Sequence, residues 1–517
     1  MWSLSVLLVC GSLMLGQTSG LKLLFVFPVP AKSHYFLGNE LGKGLARLGH
    51  EVTMISAYEE KNPPKNYFNI TLSKITDYTD SLREQKFFNP FSYSDTSPFF
   101  QLYLISSPMM DFWKDITFSD EKVQQLLKSN QHFDAVIVEQ FWNDAMKVFA
   151  HHFNAHLIVF STIGPNKWVN NLVANPENPS YVPDLLLNFN EEMTFFQRLY
   201  NAVFGSVHNL LLYQFFYPKQ NALMKKYFPD APELEQLLYN VSLVLTNGHD
   251  SINDAIPHVP NMIDIGGFHV NPPKELPNDL KHLLDNASEG VIYFSLGSNI
   301  QPSLMSNKIK KALLKTLGGR KEKILWKWDE KILENQPSNF LISKWFPQQS
   351  ILAHKNCKLF ISHGGLLSTT ETIYFGVPVL ALPVMGDQKM NAARIVAKGM
   401  GVSIPFAEIT EKRLTEALEL VLEDPKYKET VEIRSNLLKD RPMKPIELAD
   451  YWIKYVVRHK GAPHLRVAGI QLPLYKYYML DVIAVILVVV FVSNYVLFKL
   501  IKWAVCKRRN VRKIKKE

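Results

Sequence analysis

The chain has 517 residues, 47% hydrophobic and 20% charged, which is long enough for two or three domains with sizeable cores and too apolar for a disordered protein. Its formal charge of +9 is concentrated at one end: residues 507–517 hold seven Lys or Arg and one Glu, which leaves +3 for everything before them. That excludes a basic nucleic-acid-binding body and fits a basic tail beside a membrane.

Residues 1–20 read as a secretory signal, an apolar run from Leu4 to Leu15 followed by the small residues Thr18-Ser19-Gly20. An N-terminal anchor is the alternative, but the run is shorter than the ~20 residues a span needs. Lys22 to Phe27 is an apolar strand. A loop with Pro28 and Pro30 leads to a helix from about His34 to Leu48, with Ser33 as its cap. Gly49-His50 ends that helix and Glu51 to Ser56 is the next strand, which completes a βαβ unit. Ala135 to Val138 and His156 to Phe160 read as further central strands.

Residues 85–115 are crowded with aromatics, among them Phe87, Phe88, Phe91, Phe99, Phe100, Tyr103 and Trp113. They pack a core or line an apolar pocket. Phe195 to Tyr217 has helical character, but Gln197, Arg198, Asn201 and His208 interrupt it, so it reads as an amphipathic region resting on a membrane surface and not as a span. Asn271 to Pro277 is a stiff linker and domain boundary. A second α/β domain runs from Gly290 to about Asp440, and Pro445 to His459 is a last amphipathic helix.

Val482 to Phe498 is apolar apart from Ser493 and Asn494, and Tyr477, Tyr478 and Trp503 extend it to spanning length. The cations that follow place the tail in the cytosol and the body in the lumen, a type I topology. Lys513 and Lys515 have the spacing of a dilysine retrieval signal, which favours the endoplasmic reticulum. Of the three cysteines, Cys10 lies in the signal and Cys506 borders the cytosol. Cys357 is then the one lumenal thiol, with no partner for a disulfide or a cysteine metal site. Asn69, Asn240 and Asn286 head glycosylation sequons.

The densest chemical signal lies between positions 345 and 388. A strand from Lys358 to Ser362 runs into His363-Gly364-Gly365 and then a helix bearing Ser368 and Glu371. The glycines let backbone approach a ligand, and the first helix amides can hold a phosphate. A second strand, Pro378 to Val384, ends in Asp387-Gln388, a polar pair suited to sugar hydroxyls. With Trp345-Phe-Pro-Gln-Gln upstream, all fall beyond the carboxyl ends of strands, where α/β sheets bind ligands. Together they read as a site for a nucleotide diphosphate and its sugar.

In order and spacing these residues resemble the signature of the UDP-glycosyltransferase family, animal type and most like its insect members. The resemblance implies the GT-B architecture, an α/β fold of two Rossmann-like domains facing a cleft, with one C-terminal transmembrane helix. It divides the chain into an acceptor-binding domain (21–275), a UDP-sugar-binding domain (276–460), a linker (461–477), the span (478–503) and a cytosolic tail (504–517). It further implies that Trp345 stacks on uracil, Gln348 sits near uracil and ribose, and Glu371 accepts from the ribose hydroxyls. His363, Ser298 and the backbone at Gly365 and Ser368 meet the diphosphate, and Asp387 with Gln388 holds the sugar. Leu367 departs from the pattern, since many relatives have Asn there.

His34 matches the family's catalytic base, and a helix start favours its neutral, proton-accepting form. The carboxylate partner, usually Asp, is read as Glu139, which ends its strand at the matching offset, with Asp144 kept open as the alternative. The implied reaction is inverting transfer of a sugar to a hydroxyl of a small lipophilic acceptor at the endoplasmic reticulum membrane, which suits detoxification or pigment chemistry. Glucose is preferred, because Asn247 stands near where glucuronate users carry an Arg. The alternatives are transfer of glucuronate and a non-catalytic sugar-nucleotide receptor. There is no Asp-x-Asp motif, so no metal and no cofactor beyond the donor substrate is expected. Nucleic acid is excluded as a partner, and a homo-oligomer is allowed.

Overall fold

The computed structural model describes residues 20–85, 89–105, 107 and 111–514. Most of the expected signal, Phe87, Phe88 and the Lys515 half of the dilysine pair lie outside the described residues.

The N-terminal sheet is parallel, in the order β3-β2-β1-β4-β5-β6-β7. Its strands are β1 (Lys22–Phe27), β2 (Glu51–Ser56), β3 (Tyr67–Thr71), β4 (Ala135–Glu139), β5 (His156–Ser161), β6 (Leu243–Thr246) and β7 (Met262–Asp264). β1 is buried at five of six positions, the near-continuous apolar run of a strand covered on both faces. Helix α1 (Lys32–Arg47) starts two residues before the expected His34, with Ala31 in the extended cap position and no side-chain cap bond. Ser33 is therefore not the cap: it lies inside the first turn, and its hydroxyl accepts instead from Asn299 at 3.5 Å.

Helix α2 (Phe195–Leu211) opens with a capping box of Thr194 and Gln197. It continues through a π turn, Leu212–Phe216, into a helix from Tyr217 to Tyr227. Two of its polar interruptions, Asn201 and His208, are buried, and His208 Nδ1 meets Asp184 Oδ2 at 2.8 Å, while Arg198 is exposed. Phe195, Phe196, Leu199 and Val203 face outward. The helix therefore carries an exposed apolar face as well as a buried one that mixes Phe204 with Asn201 and His208.

The second sheet is also parallel, in the order β10-β9-β8-β11-β12-β13. Its strands are β8 (Val291–Ser295), β9 (Lys323–Lys327), β10 (Phe340–Ser343), β11 (Cys357–Ser362), β12 (Val379–Ala381) and β13 (Gly401–Ser403). β12 is shorter than the expected Pro378 to Val384, since Pro378 and Pro383 have no amide to donate to a ladder. Helices α3 (Leu366–Phe375) and α4 (Gln388–Ala397) follow β11 and β12. Phe91, from the aromatic segment, stacks on Phe406 of this half at 4.4 Å, so that ring is an inter-domain contact and not part of an acceptor pocket.

Helix α5 (Pro445–Arg458) returns to the N-terminal sheet. Ala449, Ile453 and Val456 are fully buried in the cluster built around Phe25, Leu41 and Ile137, and His50 Nε2 meets Asp450 Oδ1 at 2.6 Å. Burial of Ile453 and Val456 contributes roughly 1.5–3 kcal/mol each. Physically, this helix belongs to the N-terminal domain, although its residues fall within 276–460.

From Val467 onward the chain forms a separate unit. Its long helix, α6, runs from Leu480 to Ile514. The stretch Leu480–Arg508 is long and apolar enough to cross a membrane.

Candidate functional site

β1 and β4 are neighbours at the point where the order of the first sheet reverses, the place where a doubly wound sheet opens a crevice at its carboxyl end. His34 stands in the first turn of α1, just after β1, and Glu139 is the last residue of β4. Adjacent parallel strands therefore deliver the two side chains to one spot, where His34 Nδ1 meets Glu139 Oε1 at 2.5 Å. Glu139 is fully buried, and its Oε2 has no hydrogen-bond partner. Phe141 sets its ring edge-on to the imidazole, 4.5 Å between centroids. With Nδ1 engaged, Nε2 is the nitrogen left for a ligand.

Asp144 is not brought to His34. It is buried in a network with Lys147 and Gln140, whose Nε2 donates to Asp144 Oδ1 at 2.9 Å while Lys147 Nζ donates to both partners. Burial lowers the Lys147 ammonium from its ordinary range, against the pull of Asp144. Five residues past Glu139 the chain has already turned into a 3-10 helix, Asp144–Lys147, so the carboxylate points into the fold.

The second sheet repeats the geometry. β8 and β11 flank its reversal point, and the residues after them are Ser298, exposed in its turn, and His363. The His363 ring is wedged between two glycines: a Cβ on Gly297 would lie 2.7 Å from its Cε1, and one on Gly365 would lie 2.6 Å from its Nε2. Only glycine fits at either position. Burial, with the Lys327 charge nearby, depresses His363 to about 4. Lys327, at the end of β9, donates from Nζ to Gly297 O at 2.9 Å. The sequence reading missed this cation; its signal is a lysine closing a strand beside β8. In α3 the bond from Thr369 N to Gly365 O, 3.0 Å, is the first of the helix, so the amides before it point outward without a helical acceptor.

Glu371, one turn into α3, is gripped by two glutamines: Gln348 Nε2 donates at 2.5 Å and Gln349 Nε2 at 2.8 Å. Gln348 also reaches Ser368 Oγ at 3.5 Å, and its Oε1 accepts from Tyr293 at 3.2 Å. Burial raises the Glu371 carboxyl, and the glutamines lower it only in part. Trp345, just upstream, is 68% exposed, an aromatic face open for stacking. Gln349 was not singled out from sequence, although it neighbours Gln348.

Asp387 precedes α4 and accepts from Asn391 Nδ2 at 2.8 Å. The oxygen of Gln388 is committed to the amides of Val384 (2.9 Å) and Met385 (3.1 Å), which leaves its nitrogen for a ligand. Burial raises the Asp387 carboxyl, while Asn391 and the facing His34 pull it down. The Asp387 carboxylate and the His34 imidazole therefore share one electrostatic neighbourhood. Gly386 N donates across the cleft to Gln101 Oε1 at 3.3 Å.

Leu367 packs against the N-terminal core cluster, so the residue that stands in place of Asn makes an apolar contact between the domains. Asn247 is buried and donates to Thr162 O at 3.0 Å. A separate cavity of about 250 Å³, lined by His156, Asn240, Lys460 and Arg466, shares no residue with this site.

Two Rossmann-type sheets with ligand-ready strand ends on facing sides define a glycosyltransferase of the GT-B fold. Among solved structures, the spinosyn forosaminyltransferase SpnP aligns over 85% of this chain and 100% of its own, with TM-score 0.56 at 15% identity. The glycotransferase of kitacinnamycin aligns over 86% and 99%, with TM-score 0.54 at 16% identity. The family model described as UDP-glucoronosyl and UDP-glucosyl transferase matches residues 23–517, and the chain belongs to that family, which transfers sugars from UDP-sugars. Relatives include the UDP-glycosyltransferase UGT5 of Dactylopius coccus, 36% identical over 470 residues (90% of this chain, 88% of the relative). UDP-glucosyltransferase 2 of the same insect is 35% identical over 483 residues (92% of each). Human UDP-glucuronosyltransferase 1A9 is 33% identical over 509 residues (96% and 92%).

Proposed function

We propose that the protein transfers glucose from UDP-glucose to a hydroxyl of a small lipophilic acceptor, with inversion at C1. The observation that carries this reading is the contact between His34 and Glu139 on the rim facing Asp387. The acceptor oxygen attacks C1, its proton passes to His34 Nε2, and the bond from C1 to the diphosphate oxygen breaks. Glu139 holds the ring and stabilises the imidazolium as it forms. UDP leaves with its charge met by the α3 amides, Ser298, His363 and Lys327, so no divalent cation is required. Trp345 stacks on uracil, Glu371 accepts from the ribose with Gln348 and Gln349 fixing it, and Asp387 and Gln388 take the sugar hydroxyls. One displacement on an α-linked donor gives a β-glycoside.

Glucose as donor is supported by the relative named as a glucosyltransferase; glucuronate is the competing donor. The outward apolar face of α2 and the apolar α6 support a protein held at a membrane, with the body in the lumen of the endoplasmic reticulum. A panel of UDP-sugars against phenols on microsomes, with product configuration read by NMR, tests the proposal. A β-glucoside formed in EDTA is expected. An α-glycoside, or activity lost to EDTA and restored by Mn²⁺, contradicts it.

A further inference from the structure

Thr162 lies on the turn after β5, the strand beside β4, and is buried against the His34–Glu139 pair. Its Oγ1 is 3.1 Å from His34 Nδ1 and 3.4 Å from Glu139 Oε1. With the Nδ1 proton given to Glu139, the hydroxyl hydrogen is free to donate to the same carboxylate oxygen. At 3.4 Å that bond is long, as hydrogen bonds of catalytic groups are before substrate arrives. Among the described residues, His34 and Thr162 are the only hydrogen-bond donors to Glu139, since Oε2 has none. A fully buried carboxylate depends on each donor it has.

The turn itself is fixed. Thr162 O accepts from the buried Asn247 at 3.0 Å, and Ser161 Oγ closes the turn by donating to Gly164 O at 2.6 Å. Glu139 also has one more rotatable bond than the Asp that the pattern usually places here. A carboxylate on the longer arm needs a second anchor to keep a single geometry.

We propose that Thr162 is a positioning residue for the transfer reaction: its hydroxyl pins the Glu139 carboxylate, and through it the ring of His34. The assignment rests on His34 being the base, so the test must separate the two ideas. Full-length Thr162→Val, Thr162→Ser, Glu139→Gln and His34→Ala are compared for kcat, donor KM and UDP affinity, with thermal melting as the check on folding. Thr162→Val is expected to lower kcat on the order of ten- to a hundredfold, the worth of one hydrogen bond to a charged group, with donor KM unchanged. Thr162→Ser should restore most of the rate, and Thr162→Val should cost little more once Glu139→Gln is present. If Val is too poorly folded, Thr162→Ala carries the same comparison with Ser.

The proposal is overturned if Thr162→Val matches the parent, if Ser is as impaired as Val, or if the loss persists undiminished in the Glu139→Gln background. Transfer surviving His34→Ala would instead overturn the base assignment itself.

Discussion

Arg394 donates from Nε to Asp254 Oδ2 at 2.8 Å, both side chains nearly buried, and so ties the helix that begins with Gln388 to the rim of the N-terminal sheet. Lys398, one turn on, lies 3.2 Å from Asp254 Oδ1. The two cations hold the Asp254 carboxyl below its usual range against the cost of burial.

Asp254→Asn is expected to destabilise the protein by about 3–5 kcal/mol, because it strands the buried Arg394 guanidinium, while Lys398 keeps Glu191 as a partner. Replacing Arg394 by Met at the same time should recover part of the loss. Thermal unfolding of both variants checks this, and a double variant worse than the single would contradict it.

His363, held near 4 by burial and Lys327, is neutral above about pH 5 and offers the diphosphate a hydrogen bond, not a charge. UDP-glucose affinity should then show no step from His363 between pH 5.5 and 8. His363→Ala should weaken binding roughly tenfold, and His363→Gln, which keeps a donor, should weaken it less. Calorimetric titration decides.

His269 is fully buried, and burial lowers it to about 4 against a hydrogen bond to the Leu367 backbone. Glu371 Oε1, 4.0 Å from Nε2, is the facing carboxylate. A histidine depressed in the fold costs nothing above its unfolded value of ~6.5; as pH falls toward 4, the unfolded chain takes up the proton first and stability declines. At pH 5 that loss is about 2 kcal/mol. His269→Phe should flatten the fall in Tm between pH 7 and 5, and a slope equal to the parent's would show that His269 is not responsible.

Leu367→Asn restores the family's more common residue but places an amide against the N-terminal core cluster. The expected result is a loss of about 1–3 kcal/mol, with no tighter UDP binding. Tighter UDP binding at unchanged Tm would mean that position 367 faces the phosphates after all.

Much of this was legible in the sequence. Lys22–Phe27 and Glu51–Ser56 are apolar strands bounded by a cap region and by Gly49-His50, and they form over those residues. The motif residues from Trp345 to Gln388 gather because each follows a strand of one sheet. What the sequence withheld depends on strand order. Glu139 is favoured over Asp144 by its place at a strand end, but only the pairing of β1 with β4 shows that it lies beside His34. Thr162 and Lys327 close strands adjacent to the crevices, a signal readable only once the order β4-β5 and β9-β8 is known. The inward polar residues of α2 show the opposite limit: periodicity marked the helix, but Asn201 and His208 turn toward the protein because Asp184 waits there.

The most direct test replaces His34 by Ala in the full-length protein and measures glucosyl transfer and UDP binding on the same preparation. Transfer should be lost while UDP binds as tightly as to the parent, because the nucleotide is held by residues of the second sheet. Undiminished transfer would contradict the account.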